Sequence, residues 1–348
     1  MKKIKIIVVD DSLFMRKSIS ELINSDKECE VIASASNGLD ALKLVSVLKP
    51  DVVCLDIELP KMDGITTLKY IMSEWPTPVI MVTGYKEYFG EETIKCLEYG
   101  AVDVVYKPTG SAFFEIKKLK NNLIEKIKIA AKANIASLKP VINDKRVKRK
   151  IKDKKEVEKV VVIACSTGGP RALSHILPKI KADINSAIVV IQHMPKGFTK
   201  SLADRLNLVS AVNVSEAVSN RSLKGGEVYI VPGSQNLTLE KIQEKVIIKL
   251  NKCEKSHGVC PSANVSMDSI AEIYKDKCLG VILTGMGCDG VKGVTKIYKY
   301  GGKTIAEDSS TCIVFGMPKA AIQAGVVSEI MPLGDIALAI NDWAKNNG

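Results

Sequence analysis

Residues 160–173 read VVVIACSTGGPRAL. The apolar run at its start, rich in β-branched valine and isoleucine, fits a strand buried on both faces of a parallel sheet. The Ser-Thr-Gly-Gly-Pro that follows is a turn, and its proline is suited to the first position of a helix. Strand, glycine-rich turn and helix predict an α/β unit. Two readings of the turn compete: it cradles a phosphate on backbone N–H groups, or it holds up Ser166 as a nucleophile.

The same alternation extends in both directions. Downstream, KVVVIAC, AIVVIQH, EVYIVPG, KCLGVILTG and KTIAED read as buried strands. TKSLADRLN, VSMDSIAEIYKD, VKGVTKIYKYG and DIALAINDWAKN read as helices, and NLTLEKIQEKVIIKL as a β-hairpin. Upstream, KIKIIVVD, CEVIASAS, PDVVCLDI, PVIMVTG and AVDVVYKP alternate with helical patterns, the last of them FFEIKKLKNNLIEKIKIAAKA. The fold class expected is α/β, with two doubly wound parallel-sheet domains and an antiparallel hairpin in the second. The boundaries expected are residues 1–125, a linker at 126–157, and 158–348.

Charge supports that division. The net charge is +11. Residues 117–159 hold 16 lysines and arginines against five acids, which accounts for all of it, and the remainder carries 34 of each sign. The basic stretch KRVKRKIKDKKEVEK has no interleaved aromatics for base stacking, so a solvated linker is expected, and no nucleic acid. No apolar run approaches the ~20 residues of a membrane helix, so no membrane insertion is expected. MKKIKIIVVDDS places two lysines before an apolar run, but the run is short and ends in Asp10-Asp11. It reads as a first strand rather than a secretion signal, and a cytoplasmic protein is expected. The nine cysteines are scattered without a CxxC pair. That argues against a zinc site and a disulfide framework, and for a reduced compartment.

The phosphate reading of 160–173 is weak. No lysine follows Gly169 as a P-loop requires, and STGGP is not GxGxxG. GMGCDG at 285–290 matches that fingerprint literally but sits late in the domain, not in the first βα turn. A nucleophilic serine needs a base, and the base an orienting acid. Of the three histidines, His175 lies on the helix after Ser166 and His257 in the Lys/Cys-rich NKCEKSHGVC. His193 ends the strand AIVVIQ, and Asp289 follows the strand VILTG, so both reach the sheet edge of Ser166. Spacing alone leaves a Ser166–His193–Asp289 triad beside a polar rim without chemistry. Cys165 is the stronger nucleophile, but as the last residue of the apolar run it points to the core and turns Ser166 to the crevice.

In the first half, Asp10 and Asp11 end the first strand, Asp56 the third, Thr83 the fourth and Lys107 the fifth. Three carboxylates at one strand edge call for a cation, and an oxygen-only set suits Mg²⁺. Pro108 after Lys107 suggests a fixed turn that aims the lysine.

VVDDS, CLDIELPKMDG, MVTG and YKP together resemble the receiver domain of bacterial response regulators, over about residues 3–125. The resemblance implies a flavodoxin-like domain with Asp56 as phosphoacceptor, Mg²⁺ held by Asp10, Asp11 and Asp56, and Thr83 and Lys107 sensing the phosphoryl group. Where receivers often carry an aromatic residue, three before the lysine, this chain has Val104; Tyr106 adjoins the lysine instead. STGGP, IQHMPKGFTKSLADRLN, VYIVPG, LTGMGCDG and VFGMPKAA resemble the catalytic domain of the chemotaxis protein-glutamate methylesterases, the CheB family, over about 158–345. That implies a Rossmann-like esterase domain with Ser166 as nucleophile, His193 as general base and acid, and Asp289 as orienter. Thr167, Gly168 and Met286 would support the oxyanion. No cofactor is implied for the ester chemistry. Two departures stand out: Cys260-Pro261-Ser262-Ala263-Asn264 where the family often has Arg-Pro-Ser-Val-Asp, and Cys165 where it commonly has Ala or Ser.

The function implied is phosphorylation-regulated hydrolysis of glutamate γ-methyl esters on methyl-accepting chemotaxis receptors, releasing methanol, with glutamine deamidation beside it. A chemotaxis histidine kinase would donate the phosphoryl group. The domain order and linker suggest that the unphosphorylated receiver covers the Ser166 crevice. The alternatives are a response regulator with a non-catalytic receptor-docking output, or one with a nucleic-acid-binding output.

Overall fold

The computed structural model describes residues 2–84, 90–107, 113–138, 157–253 and 258–345, with the side chains of 113–118 excepted. The chain divides into two compact units, Met1–Ile142 and Asn143–Gly348.

Unit one alternates five strands and five helices: β1 (Ile4–Val9), α1 (Leu13–Asn24), β2 (Cys29–Ala35), α2 (Gly38–Leu48), β3 (Val52–Leu55), α3 (Gly64–Glu74), β4 (Val79–Gly84), α4 (Gly90–Glu98), β5 (Asp103–Lys107) and α5 (Phe113–Ala130). The strands pair in parallel in the order β2-β1-β3-β4-β5. Strand β3 is fully buried, as a strand covered on both faces must be. Short polar side chains open the helices: Ser12, Asn37 and Asp63 accept N–H groups of α1, α2 and α3. Beyond α5, a 3-10 turn at Ile135–Leu138 buries Leu138 completely. The packed part of unit one therefore extends past residue 125. Residues 139–156, the heart of the expected linker, and Pro108 lie outside the described residues.

Unit two contains β6 (Val160–Cys165), α6 (Gly169–Ile176), β7 (Ala187–Gln192), α7 (Phe198–Val209), β8 (Asn213–Glu216), β9 (Glu227–Ile230), β10 (Gln235–Ile242), β11 (Lys245–Lys252), α8 (Ala263–Tyr274), β12 (Cys278–Ile282), α9 (Val291–Lys299), β13 (Lys303–Glu307), α10 (Met317–Gln323), β14 (Glu329–Met331) and α11 (Leu333–Lys345). Seven strands form a parallel sheet in the order β14-β13-β12-β6-β7-β9-β8, and β10 and β11 form the antiparallel hairpin. Both edge strands, β8 and β14, were absent from the sequence reading. They are short and half-exposed, so neither carries the apolar run that marks a buried strand.

Cys253 and Cys260 are joined by a disulfide. The scattered spacing, read as arguing against a disulfide framework, did not signal this pair. The two Cα atoms lie 6.0 Å apart, within bonding range, although a seven-residue separation matches no familiar motif. The other seven cysteines are free, and of these only Cys288 is exposed.

Candidate active site

Strand β6 is the pivot of unit two. The chain leaves it for β7 on one side and later returns to β12 on the other, so a crevice opens at its carboxyl end. Ser166 is the first residue past β6. Cys165 before it is 0% exposed, with its thiol 3.0 Å from Gln192 Oε1, while Ser166 is half-buried. Alternation along the strand has turned the thiol to the core and the hydroxyl to the crevice.

The turn is held by its backbone. Ser166 N–H donates to the Thr284 carbonyl at 3.1 Å. The Ser166 carbonyl accepts Gly169 N–H at 2.8 Å and the Gln192 amide at 3.0 Å. Gly168 has φ +82°, the left-handed region that glycine enters without strain. A Cβ on Gly285 would lie 2.7 Å from Ser166 Cβ, so only glycine permits this approach of the two strand ends. Thr167 is buried beside them, and Met286 is 46% exposed at the crevice edge of the next loop.

His193 follows β7, and its N–H extends the ladder to the Cys165 carbonyl at 3.1 Å. Its Nε2 lies 2.9 Å from Asp289 Oδ2. The Asp289 carboxylate also accepts the N–H groups of Ala263 at 2.6 Å and Asn264 at 3.1 Å, and the Ser262 hydroxyl at 3.1 Å. It thus sits on the amino end of α8, where the helix dipole favours negative charge. Burial raises the Asp289 carboxyl, but the His193 and backbone hydrogen bonds outweigh it, and the group lies below its ordinary value. An ionised carboxylate only accepts, so His193 Nε2–H is the donor of this hydrogen bond.

Asn264 belongs to the same knot. Its side-chain oxygen accepts the N–H groups of Gly290 at 3.0 Å and Gly293 at 3.1 Å, capping α9. Asparagine at this departure therefore performs the capping an aspartate would perform. His175 contacts Lys179 at 2.8 Å on α6 instead. His257 lies outside the described residues.

Three contributors escaped the sequence reading: Gln192, Thr284 and Glu307. Glu307 did carry a signal, as an acid ending a buried strand at the carboxyl edge. That is the same pattern that drew notice to Asp10 and Asp56.

In unit one, Asp10, Asp11 and Asp56 each offer a carboxylate oxygen within 4.8 Å of the others. Lys107 Nζ lies 2.6 Å from Asp10 and 2.5 Å from Asp56. Burial raises the Asp56 carboxyl, and the Lys107 charge only partly offsets it. The buried Thr83 hydroxyl makes no hydrogen bond among the described residues. An oxygen-only set of three carboxylates, reachable through the exposed Asp11, fits a hard divalent cation. Val104 is buried, whereas Tyr106 is half-buried and stands directly across from Thr83 in the β4–β5 register.

A family profile described as CheB methylesterase matches residues 161–340. This chain belongs to the CheB methylesterase family. A second profile, response regulator receiver domain, matches residues 6–117 of the same CheB-family chain. The protein-glutamate methylesterase/protein-glutamine glutaminase of Pyrococcus horikoshii is 44% identical over 338 residues, covering 96% of this chain and 92% of that one. The protein of the same name from Thermotoga maritima is 44% identical over 332 residues, covering 94% and 95%. That from Bacillus subtilis is 41% identical over 353 residues, covering 98% and 99%. The crystal structure of the T. maritima CheB methylesterase catalytic domain matches with a TM-score of 0.52 at 47% identity, covering 53% of this chain and 97% of that chain.

Proposed function

We propose that this CheB-family chain is a protein-glutamate methylesterase and protein-glutamine deamidase of chemoreceptors, switched by phosphorylation of Asp56. The observation that carries the esterase reading is the His193 Nε2–Asp289 Oδ2 contact of 2.9 Å at the same strand edge as Ser166.

Ser166 Oγ attacks the γ-ester carbonyl while its proton passes to Nδ1 of His193. Asp289 accepts from Nε2–H and stabilises the imidazolium. The tetrahedral oxyanion is received by backbone N–H groups around Thr167, Gly168 and Met286. It collapses as the methoxy group takes the proton from His193 and leaves as methanol, giving a Ser166 acyl ester. Water, deprotonated by His193, attacks that ester. The Ser166 oxygen regains the proton, and glutamate is released. A glutamine side chain passes through the same steps and loses ammonia.

In the receiver, Asp10, Asp11 and Asp56 would hold Mg²⁺, which when bound offsets charge on the incoming phosphoryl group. Asp56 accepts the phosphoryl group, from a chemotaxis histidine kinase. Lys107 and Thr83 then face its oxygens. The setting is the cytoplasm, where the kinase and the receptor glutamates meet the enzyme. Among the described residues no helix is long and apolar enough to cross a membrane.

The test is methanol release from methylated receptor membranes by the parent and by Ser166→Ala. Release by the parent and none by the variant is expected. No release by either, with a phosphodonor and Mg²⁺ present, would overturn the reading.

A further inference from the structure

Glu307 ends β13 at the edge that carries Ser166, is 0% exposed, and takes no part in the proposed triad. A carboxylate is kept out of water only where its oxygens find donors. Here Oε2 accepts Thr284 N–H at 2.8 Å and Oε1 accepts the Thr311 hydroxyl at 3.1 Å. Burial raises the Glu307 carboxyl, and these hydrogen bonds, with the charge of Arg171 in the first turn of α6, offset that only in part.

Thr284 is 1% exposed and grips the nucleophile turn at two points. Its carbonyl accepts Ser166 N–H at 3.1 Å, and its hydroxyl donates to the Thr167 carbonyl at 3.0 Å. Val314 N–H donates to that hydroxyl at 3.0 Å, which fixes its rotamer. The links therefore run without a gap from Glu307 through Thr284 to the backbone of Ser166 and Thr167. Removing the carboxylate would orphan a buried N–H, and Thr284 would move to find another acceptor.

We propose that Glu307 is a positioning residue of the esterase, whose buried carboxylate fixes Thr284 and through it the placement of Ser166 against His193. The proposal rests on Ser166 being the nucleophile. It assigns Glu307 no contact with substrate.

The experiment uses the full chain with phosphodonor and Mg²⁺, and compares Ser166→Ala, Glu307→Ala, Glu307→Gln and Thr284→Val. Two quantities are read: kcat and KM for methanol release, and the rate at which a fluorophosphonate labels Ser166. In that labelling an Oγ–P bond forms, the P–F bond breaks, fluoride departs and the hydroxyl proton goes to His193. Glu307→Ala should lower kcat and the labelling rate by about ten- to hundredfold, with KM changed less than about twofold. Glu307→Gln keeps an oxygen for Thr284 N–H and should recover most of both rates. Thr284→Val keeps the shape but loses the grip on Thr167, and should fall between them. Parent-like rates in Glu307→Ala would overturn the proposal. So would a Glu307→Gln no better than Glu307→Ala, or a loss expressed in KM. If Glu307→Ala does not fold, the other two variants decide: a slow Thr284→Val beside a near-parental Glu307→Gln is expected, and the reverse order overturns it. Methanol release by Ser166→Ala would strike the nucleophile reading instead, and is read separately.

Discussion

Nε2 of His193 and Oδ2 of Asp289 stand 2.9 Å apart although 96 positions separate them in the chain. The contact decides which ring nitrogen is free. Asp289 is anchored by the amino end of α8 and occupies the Nε2 side of the ring, which leaves Nδ1 as the other nitrogen.

Asp289→Asn should therefore lower kcat by about 10³-fold or more, because an amide can present its NH₂ to Nε2 and favour the wrong tautomer. Methanol release measures it. The variant should also be less stable at pH 7. Folding lowers the Asp289 carboxyl, so its stabilising share is present above the ordinary value of about 4 and is lost as pH falls through the lower folded value. Urea midpoints of parent and variant should converge as pH drops below about 4.

Asp56 has the opposite sign. Its carboxyl is raised by burial, so the neutral form is favoured by folding. That contribution is present below the ordinary value of about 4 and is lost as pH rises through the higher folded value. Asp56→Asn should melt a few degrees higher than the parent at pH 7 and match it in acid. Mg²⁺ should raise the melting temperature of the parent more than that of the variant. Acetyl phosphate should label only the parent, and should raise only the parent's esterase rate.

Asn264→Ala removes the acceptor for two N–H groups at the start of α9 and should cost about 1 kcal/mol or somewhat more. Asn264→Asp keeps the acceptor and should cost much less. Equal urea midpoints for Asn264→Ala and parent would refute the capping role.

The Cys253–Cys260 bond predicts a thiol count. Denatured but unreduced protein should titrate seven thiols and reduced protein nine. The native protein should react quickly at Cys288 alone, because the buried thiols are neutral: Cys29 is pushed up to about 11 and Cys96 to about 12, chiefly by burial.

The sequence by itself determined the two parallel sheets, because each central strand is an apolar run that only a sheet covered on both faces can bury. It also determined that Ser166 and His193 share one edge, and Asp10, Asp56 and Lys107 another. A residue ending a parallel strand has nowhere else to be. Only the tertiary structure decided what lies sideways to the chain. Which imidazole nitrogen meets Asp289 depends on the rotation of the ring against a carboxylate held by the amino end of α8. The pairing of Cys253 with Cys260 depends on their Cα atoms lying within bonding range. The grip of Glu307 on Thr284 joins neighbouring strands 23 residues apart. Such contacts follow from register and side-chain direction, which the order of residues along one strand does not contain. The edge strands β8 and β14 were hidden for a related reason: half-exposed strands need no apolar run, so they leave no period in the sequence.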